Sequence, residues 1–298
     1  MLRPGVVVAL LTVYLVWGST YLAIRVVVTN GVPPLLGMGL RFLAAGVLLA
    51  GVLAVRGGPR ALRITRGQLL TAAVVGTLLL FGGNGFVALA EQTVPSGLAA
   101  LLVSTTPLWL VVLGLLTGDR ARAVSVVGTL VGFAGTAVLA RPGGSAGVAW
   151  WGVALILLAT LCWASGSLFS RHRSDPADAF VASAYQMLIG GAVLAVVGLA
   201  HGDAGRLDVS AVPAAGWWAL LYLVVIGSLV AYTAYFWLLG NAPLQLVSTY
   251  AYVNPVVAVF LGWLLLGEQV TLAVLVGGAL AVAGVVIVIS SERSPAAH

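Results

Sequence analysis

Thr77, Asn84 and Glu91 recur every seven residues in one apolar run, a spacing that keeps all three on one face of a helix. An amide and a carboxyl group in such a setting can bind a solute, balance a cation or carry a proton. Other runs hold comparable stripes. Tyr250 and Asn254 lie four apart, with Ser248 and Tyr252 beside them, and a neighbouring run carries Ser228, Tyr232 and Tyr235. Tyr14, Trp17, Gly18 and Tyr21 share a face near the N terminus, as do Trp163, Ser167 and Ser170 further on. Aromatic faces interleaved with a few hydroxyls and amides suit an organic ring or cation. The same residues have a plainer use, because Tyr and Trp anchor at membrane interfaces and Ser or Thr often bond their own helix. Spacing leaves both uses open.

Arg41 also lies inside an apolar run, where a cation costs about 2.5–3.5 kcal/mol at a helix centre. It needs a partner, and Glu91 is the nearest unclaimed carboxylate, which suggests an Arg41–Glu91 pair or relay. Alternatively Arg41 snorkels outward while Glu91 is a solvated loop residue, or Arg41 meets a substrate carboxylate. Signs of catalysis are weak. There is no H-E-x-x-H, and His172, His201 and His298 fall in connections or the tail. The run Gly82-Gly-Asn-Gly85 has neither a strand before it nor a Lys after it, so it is no phosphate loop. No catalytic residue, metal or cofactor is expected. An intramembrane enzyme, or a structural or signalling membrane protein, is the alternative to transport.

The elements that must position these side chains follow from composition. Of 298 residues, 61% are hydrophobic and 7% charged, against about 25% charged in a soluble domain. The mean hydropathy is +1.12. These values require a membrane protein, all-α and polytopic given its long apolar runs, with the lipid bilayer as partner; a small-molecule substrate is expected of its polar stripes. The 14 basic residues are all Arg, scattered over short connections, and form no nucleic-acid-binding module. Cys162 is the single cysteine, so no intrachain disulfide forms. Ten runs are long enough to span, at residues 6–24, 33–55, 68–90, 95–117, 123–140, 149–170, 179–200, 216–239, 243–266 and 270–290. The first lacks a signal-peptide cleavage site and reads as a retained helix.

Arg3, Arg56, Arg60, Arg63, Arg66, Arg120, Arg122, Arg171, Arg173 and Arg293 fall on one side of this arrangement, and Arg25, Arg141 and Arg206 on the other. The positive-inside rule then puts both termini in the cytoplasm. Internal repetition is clear. Trp17-Gly-Ser-Thr-Tyr-Leu-Ala-Ile-Arg25 lines up with Trp163-Ala-Ser-Gly-Ser-Leu-Phe-Ser-Arg171, and LRFLAAGVLLA with YQMLIGGAVLA. STTPLWLVVLGLLTGD matches YVNPVVAVFLGWLLLGE, which pairs Pro107 with Pro255 and Asp119 with Glu268. Two five-span repeats, 6–141 and 148–290, precede a short cytoplasmic tail, 291–298. Five is odd, so the second repeat is inserted upside down, as in many transporters. Pro107 and Pro255 are expected to hinge spans 4 and 9 around a midplane site. Gly128, Gly132 and Gly135, mirrored by Gly277, Ala281 and Gly284, mark spans 5 and 10 as packing helices and leave a homodimer contact open.

The stretches WGSTYLAIR, GLRFLAAG, GNGFVALAEQTVPSGLAALLVSTTPLW and STYAYVNPVVAV resemble the drug/metabolite transporter superfamily, specifically its ten-helix EamA-type exporters, over nearly the whole chain. The resemblance implies a bundle of two inverted five-helix halves. A central cavity would be lined by spans 1, 3, 4, 6, 8 and 9, with 5 and 10 at the back. It also implies efflux of small metabolites or amphipathic compounds, amino acids among them. On this reading a solute stacks on Trp17, Tyr21, Trp163, Tyr232, Tyr235 and Tyr250 and bonds to Asn84, Gln92, Ser104 or Asn254.

Overall fold

A bilayer offers the backbone no hydrogen-bond partner, so a chain this apolar must satisfy its N–H and C=O groups within helices. The computed structural model describes residues 3–116, 118, 122–139, 149–171, 178–242, 244–247 and 249–291, and these are helical with no strand. Among the described residues seven helices are long and apolar enough to cross a membrane, and three shorter apolar helices complete ten spans. They are α1 (Pro4–Thr29), α2 (Pro34–Gly57), α3 (Arg66–Ala90), α4 (Ser96–Leu116), α5 (Ala123–Leu139), α6 (Trp150–Arg171), α7 (Ala179–Ala200), α8 (residues 214–241), α9 (Tyr250–Leu266) and α10 (Leu272–Ser291). Arg120, Arg141, Arg173, Arg293, Asp119, His172, His298, Ser248 and the tail beyond Ser291 lie outside the described residues.

Helix starts follow local chemistry. Thr65 and Gln68 form a capping box at α3, each side chain bonding the other's backbone N–H. Asp178 caps α7 through the Phe180 and Val181 amides. Two further starts are capped from distant connections. Asp203, 2% exposed in the α7–α8 connection, accepts from Leu36 N in the first turn of α2. Glu268, just past the left-handed Gly267 that ends α9, accepts from Ser96 N at 2.7 Å and Gly97 N at 3.0 Å at the start of α4. A carboxylate there meets both the free amides and the positive end of the helix dipole.

Four spans are irregular, and they correspond in pairs. α3 contains a π-helical stretch, Thr77–Gly85, and α8 another, Leu223–Val230. α4 is broken at Ser104–Thr105, and Pro107 stands in the first turn of its second piece. The break leaves carbonyls that adjacent hydroxyls cover. Ser104 Oγ donates to Leu101 O, Thr105 Oγ1 to Leu102 O and Thr106 Oγ1 to Val103 O, the carbonyl that Pro107 cannot serve for want of an N–H. In the other half a separate turn, Leu244–Val247, precedes α9, and Thr249 Oγ1 donates to Leu246 O. Pro255, expected as a hinge, stands inside a continuous helix, and the irregular backbone lies one to two turns earlier.

Packing repeats between the halves. α5 lies along α10 and α2 along α7, each a pair of equivalent spans. α1 packs on α8 and α9, just as α6 packs on α3 and α4, and α4 meets α9. Both equivalent pairs are joined by backbone contact through glycine. A methyl group on Gly135 would stand 2.4 Å from Ala281 N, and one on Gly284 would stand 2.5 Å from Gly132 N. Between α2 and α7, a methyl group on Gly39 would lie 2.7 Å from Ala195 N and one on Gly191 2.8 Å from Leu43 N. Small residues permit such approach and the dispersion contacts it brings. Gly135→Leu therefore should lower the melting temperature in detergent by an amount equivalent to about 1–3 kcal/mol or more. Gly51→Ala, where nothing lies within 4 Å, should leave it unchanged. Equal losses at the two positions would contradict this reading of the seam.

Candidate substrate site

Where α1, α8 and α9 meet, four aromatic side chains converge. The Trp17 ring centroid lies 5.6 Å from Tyr232, 5.1 Å from Tyr235 and 5.2 Å from Tyr250, and Tyr235 and Tyr250 stand 5.9 Å apart edge to face. All four are partly buried. The crossing beneath them is tight, since a methyl group on Gly18 would come within 2.7 Å of Val257 and 3.2 Å of the Asn254 carbonyl. Asn254, 6% exposed, ties the same crossing together. With its nitrogen turned to the surrounding acceptors, its amide donates to Tyr14 O at 3.2 Å and Tyr250 O at 3.3 Å. The Tyr14 and Thr249 hydroxyls also share a hydrogen bond across this contact. Asn254 thus holds α9 to α1 beside the aromatic group.

Arg41 on α2, 3% exposed, meets α8 one turn before Tyr232. Its Nε donates to Ser228 Oγ of α8 at 3.1 Å, Nη1 approaches Met38 Sδ at 3.7 Å, and the guanidinium sits 4.6 Å from the Phe42 ring centre. The expected direct pair between Arg41 and Glu91 is not formed. The Arg41 bond goes across to Ser228, whereas among the described residues both Glu91 carboxyl oxygens are buried without a hydrogen-bond partner. Ser228 belongs to the polar stripe of α8, which signals a polar face but not the partner it serves. Nearby, Ser19 and Tyr222 share a hydrogen bond of 2.6 Å between α1 and α8.

The remaining site candidates disperse. Trp163 lies in the equivalent crossing of the other half, where a methyl group on Gly83 would stand 2.7 Å from its ring. Next to it, Asn84 Nδ2 donates to Leu79 O within the π-helical stretch of α3, at 3.3 Å. Ser104 is buried, and its proton is committed to the break in α4. Tyr21, one turn along α1 from Trp17, packs on the apolar cluster around Ala90, Val94 and Leu98. Gln92 does not join the group. It is exposed in the turn after α3 and bonds Leu89 O. Helical registration stops at Ala90, so spacing along α3 says nothing of where Gln92 points.

At that same end of the bundle, Glu91, Val94 and Ser96 are each 0% exposed. Arg25 donates to the carbonyls of Glu91 and Val94, and Glu268 caps α4 alongside. Neither role shows in the sequence beyond the pairing of Arg25 with Arg171 and of Glu268 with Asp119 across the repeats.

Comparison with known proteins bears on what such a bundle does. The model of the EamA-like transporter family matches residues 3–141 and again residues 150–290. An Escherichia coli K12 protein named "Uncharacterized inner membrane transporter YedA" is 42% identical over 265 residues, covering 88% of this chain and 83% of that protein. Bacillus subtilis "Uncharacterized transporter YoaV" is 26% identical, covering 94% and 95%. An E. coli K12 "Probable amino-acid metabolite efflux pump" is 27% identical, covering 96% and 95%. A solved crystal structure, 22% identical, superposes with a TM-score of 0.65 over 98% of this chain and 100% of its own, which shows a shared fold. With the family model matched twice, once in each five-helix half, the chain is a member of the EamA-like transporter family.

Proposed function

We propose that the chain exports small organic solutes from the cytoplasm across the bacterial inner membrane by alternating access, with aromatic and zwitterionic amino acids as its substrate class. The observation that carries this is the meeting of Trp17, Tyr232, Tyr235 and Tyr250 where α1, α8 and α9 cross, with Arg41 bonded to Ser228, one turn before Tyr232 on α8. A ring or ammonium group entering there exchanges edge-to-face contacts worth about 0.5–1.5 kcal/mol each for contacts of its own. An ammonium group over an aromatic face gains a further ~0.5–2 kcal/mol when desolvated. Among the described residues Arg41 has no carboxylate partner in contact, so a substrate carboxylate could take two of its N–H groups. The 27% identical E. coli relative named as an amino-acid metabolite efflux pump supports this class.

Alternating access draws on the paired irregularities. The α3–α4 and α8–α9 hairpins each combine a π-helical stretch with a break, so each can bend without exposing carbonyls to lipid. Pro107 and Pro255 lie on the moving pieces. The arginine count supports both termini in the cytoplasm.

A growth screen of overexpressing cells against toxic amino-acid analogues and amphipathic cations, followed by uptake into inverted vesicles, tests the reading. Resistance without flux would reject it. Trp17→Ala should cut vesicle uptake at least about tenfold, since an aromatic contact pair plus stacking is worth more than 1.4 kcal/mol. Trp218→Ala, at a position 69% exposed, should not. Equal loss in both would detach the aromatic group from transport. Arg41→Gln should weaken zwitterionic and anionic substrates by at least about tenfold while sparing purely cationic ones, as loss of a charge-assisted pair requires. Uniform loss across all three classes would reject carboxylate recognition.

A further inference from the structure

Glu91 has no role in the solute site as described, yet its environment is unusual. The residue is 0% exposed, and among the described residues neither carboxyl oxygen has a hydrogen-bond partner. An ionised carboxylate stripped of water and of donors is strongly disfavoured, and burial converts it to the neutral acid unless a cation is bound directly. Among the described residues, the groups that could provide such a bond are engaged elsewhere. From α1, Arg25 donates to the Glu91 and Val94 carbonyls. From α2, Arg41 donates to Ser228. Beyond α9, both Glu268 oxygens accept from the Ser96 and Gly97 amides. The other ionisable residues of these elements are Tyr14 and Tyr21 on α1, Arg56 on α2, Arg66 on α3, Cys162 and Arg171 on α6, Tyr222, Tyr232 and Tyr235 on α8, and Tyr250 and Tyr252 on α9; residues 96–116 of α4 contain none. A second orphan lies at the same end, the Ser96 hydroxyl, buried and without a partner.

We propose that Glu91 is a proton-binding site of the outer gate. Its carboxyl group holds one proton while the α3–α4 end is seated against α1 and α9, and gives that proton to external water when this end opens. Opening admits water and frees the nearby Arg25 donors to turn from the carbonyls to the carboxylate. Closure therefore raises the proton affinity of Glu91. The sign follows from linkage: the closed arrangement is favoured at low pH and lost as pH rises through the closed-state titration, with the closed-to-open ratio falling by up to about tenfold per pH unit.

The test places spin labels at Gln92 and Gln269, both exposed on the outer connections, in a Cys162→Ala background reconstituted in nanodiscs. Distance distributions are recorded by double electron–electron resonance between pH 5 and pH 9. The short distance should dominate at low pH and give way to a longer one as pH rises. Glu91→Gln should hold the short distance at every pH. A distribution that does not respond to pH, or a pH response that survives Glu91→Gln, overturns the proposal. Should that variant not fold, infrared spectra of the unaltered chain decide. At about pH 6.5, where exposed acids are ionised, a protonated carboxyl band should be present, and its absence overturns the proposal. Neither readout needs a substrate, so failure here leaves the export reading standing, and failure of export leaves this one testable.

Discussion

The constraint on which the rest of the structure depends is that lipid offers the backbone no hydrogen-bond partner. Regular helices meet it without help, and most of α1, α2, α5, α6, α7 and α10 do so. Departures survive only where protein supplies the missing groups. The break in α4 is possible because three consecutive hydroxyls, from Ser104, Thr105 and Thr106, turn back on the carbonyls it frees. Thr249 does the same before α9, and the Asn84 amide covers Leu79 O inside the π-helical stretch of α3. Hydroxyls and amides in this chain thus serve first to make irregular helices tolerable in a membrane. Those irregular helices are the ones that a rearrangement could bend.

Two kinds of contact divide the molecule. Equivalent spans, α5 with α10 and α2 with α7, touch backbone to backbone through glycine, leaving little that can slide without loss. The hairpins α3–α4 and α8–α9 also have close glycine contacts, at Gly18 against Val257 and Gly76 against α7, but add rings, amides and capped helix ends. Asn254 on Tyr14 O and Glu268 on the start of α4 are polar contacts, each of which water could replace as the helices separate. Rigid seams beside replaceable contacts give a bundle that can move in one part and hold in another.

Much of this was legible in the residues. Ten spans follow from apolar run lengths, and the repeat follows from matched Trp, Pro and Arg. The aromatic group follows from Tyr232, Tyr235 and Tyr250 falling on inward stripes, because helix geometry is regular enough to extrapolate over one or two turns. Extrapolation fails where registration ends. Gln92 lies just past α3 and points away. Arg41 was paired on paper with the nearest free carboxylate, but what decides its partner is the crossing of α2 and α8, and Ser228 is closer. The caps made by Asp203 and Glu268 join spans far apart in the chain, which no local pattern encodes. The α2–α7 seam is carried by Gly39, Gly46, Gly191 and Gly198, which recur at seven-residue intervals within each helix.

The account rests on two copies of one five-helix unit inserted in opposite directions. Membrane-impermeant labelling of three single tags, at the N terminus, at the C terminus and between residues 140 and 149, tests this most directly. The two terminal tags should be reached only after the cells are opened, and the middle tag should be reached in intact cells. Termini on opposite sides, or a middle tag on the same side as both, would contradict inverted insertion.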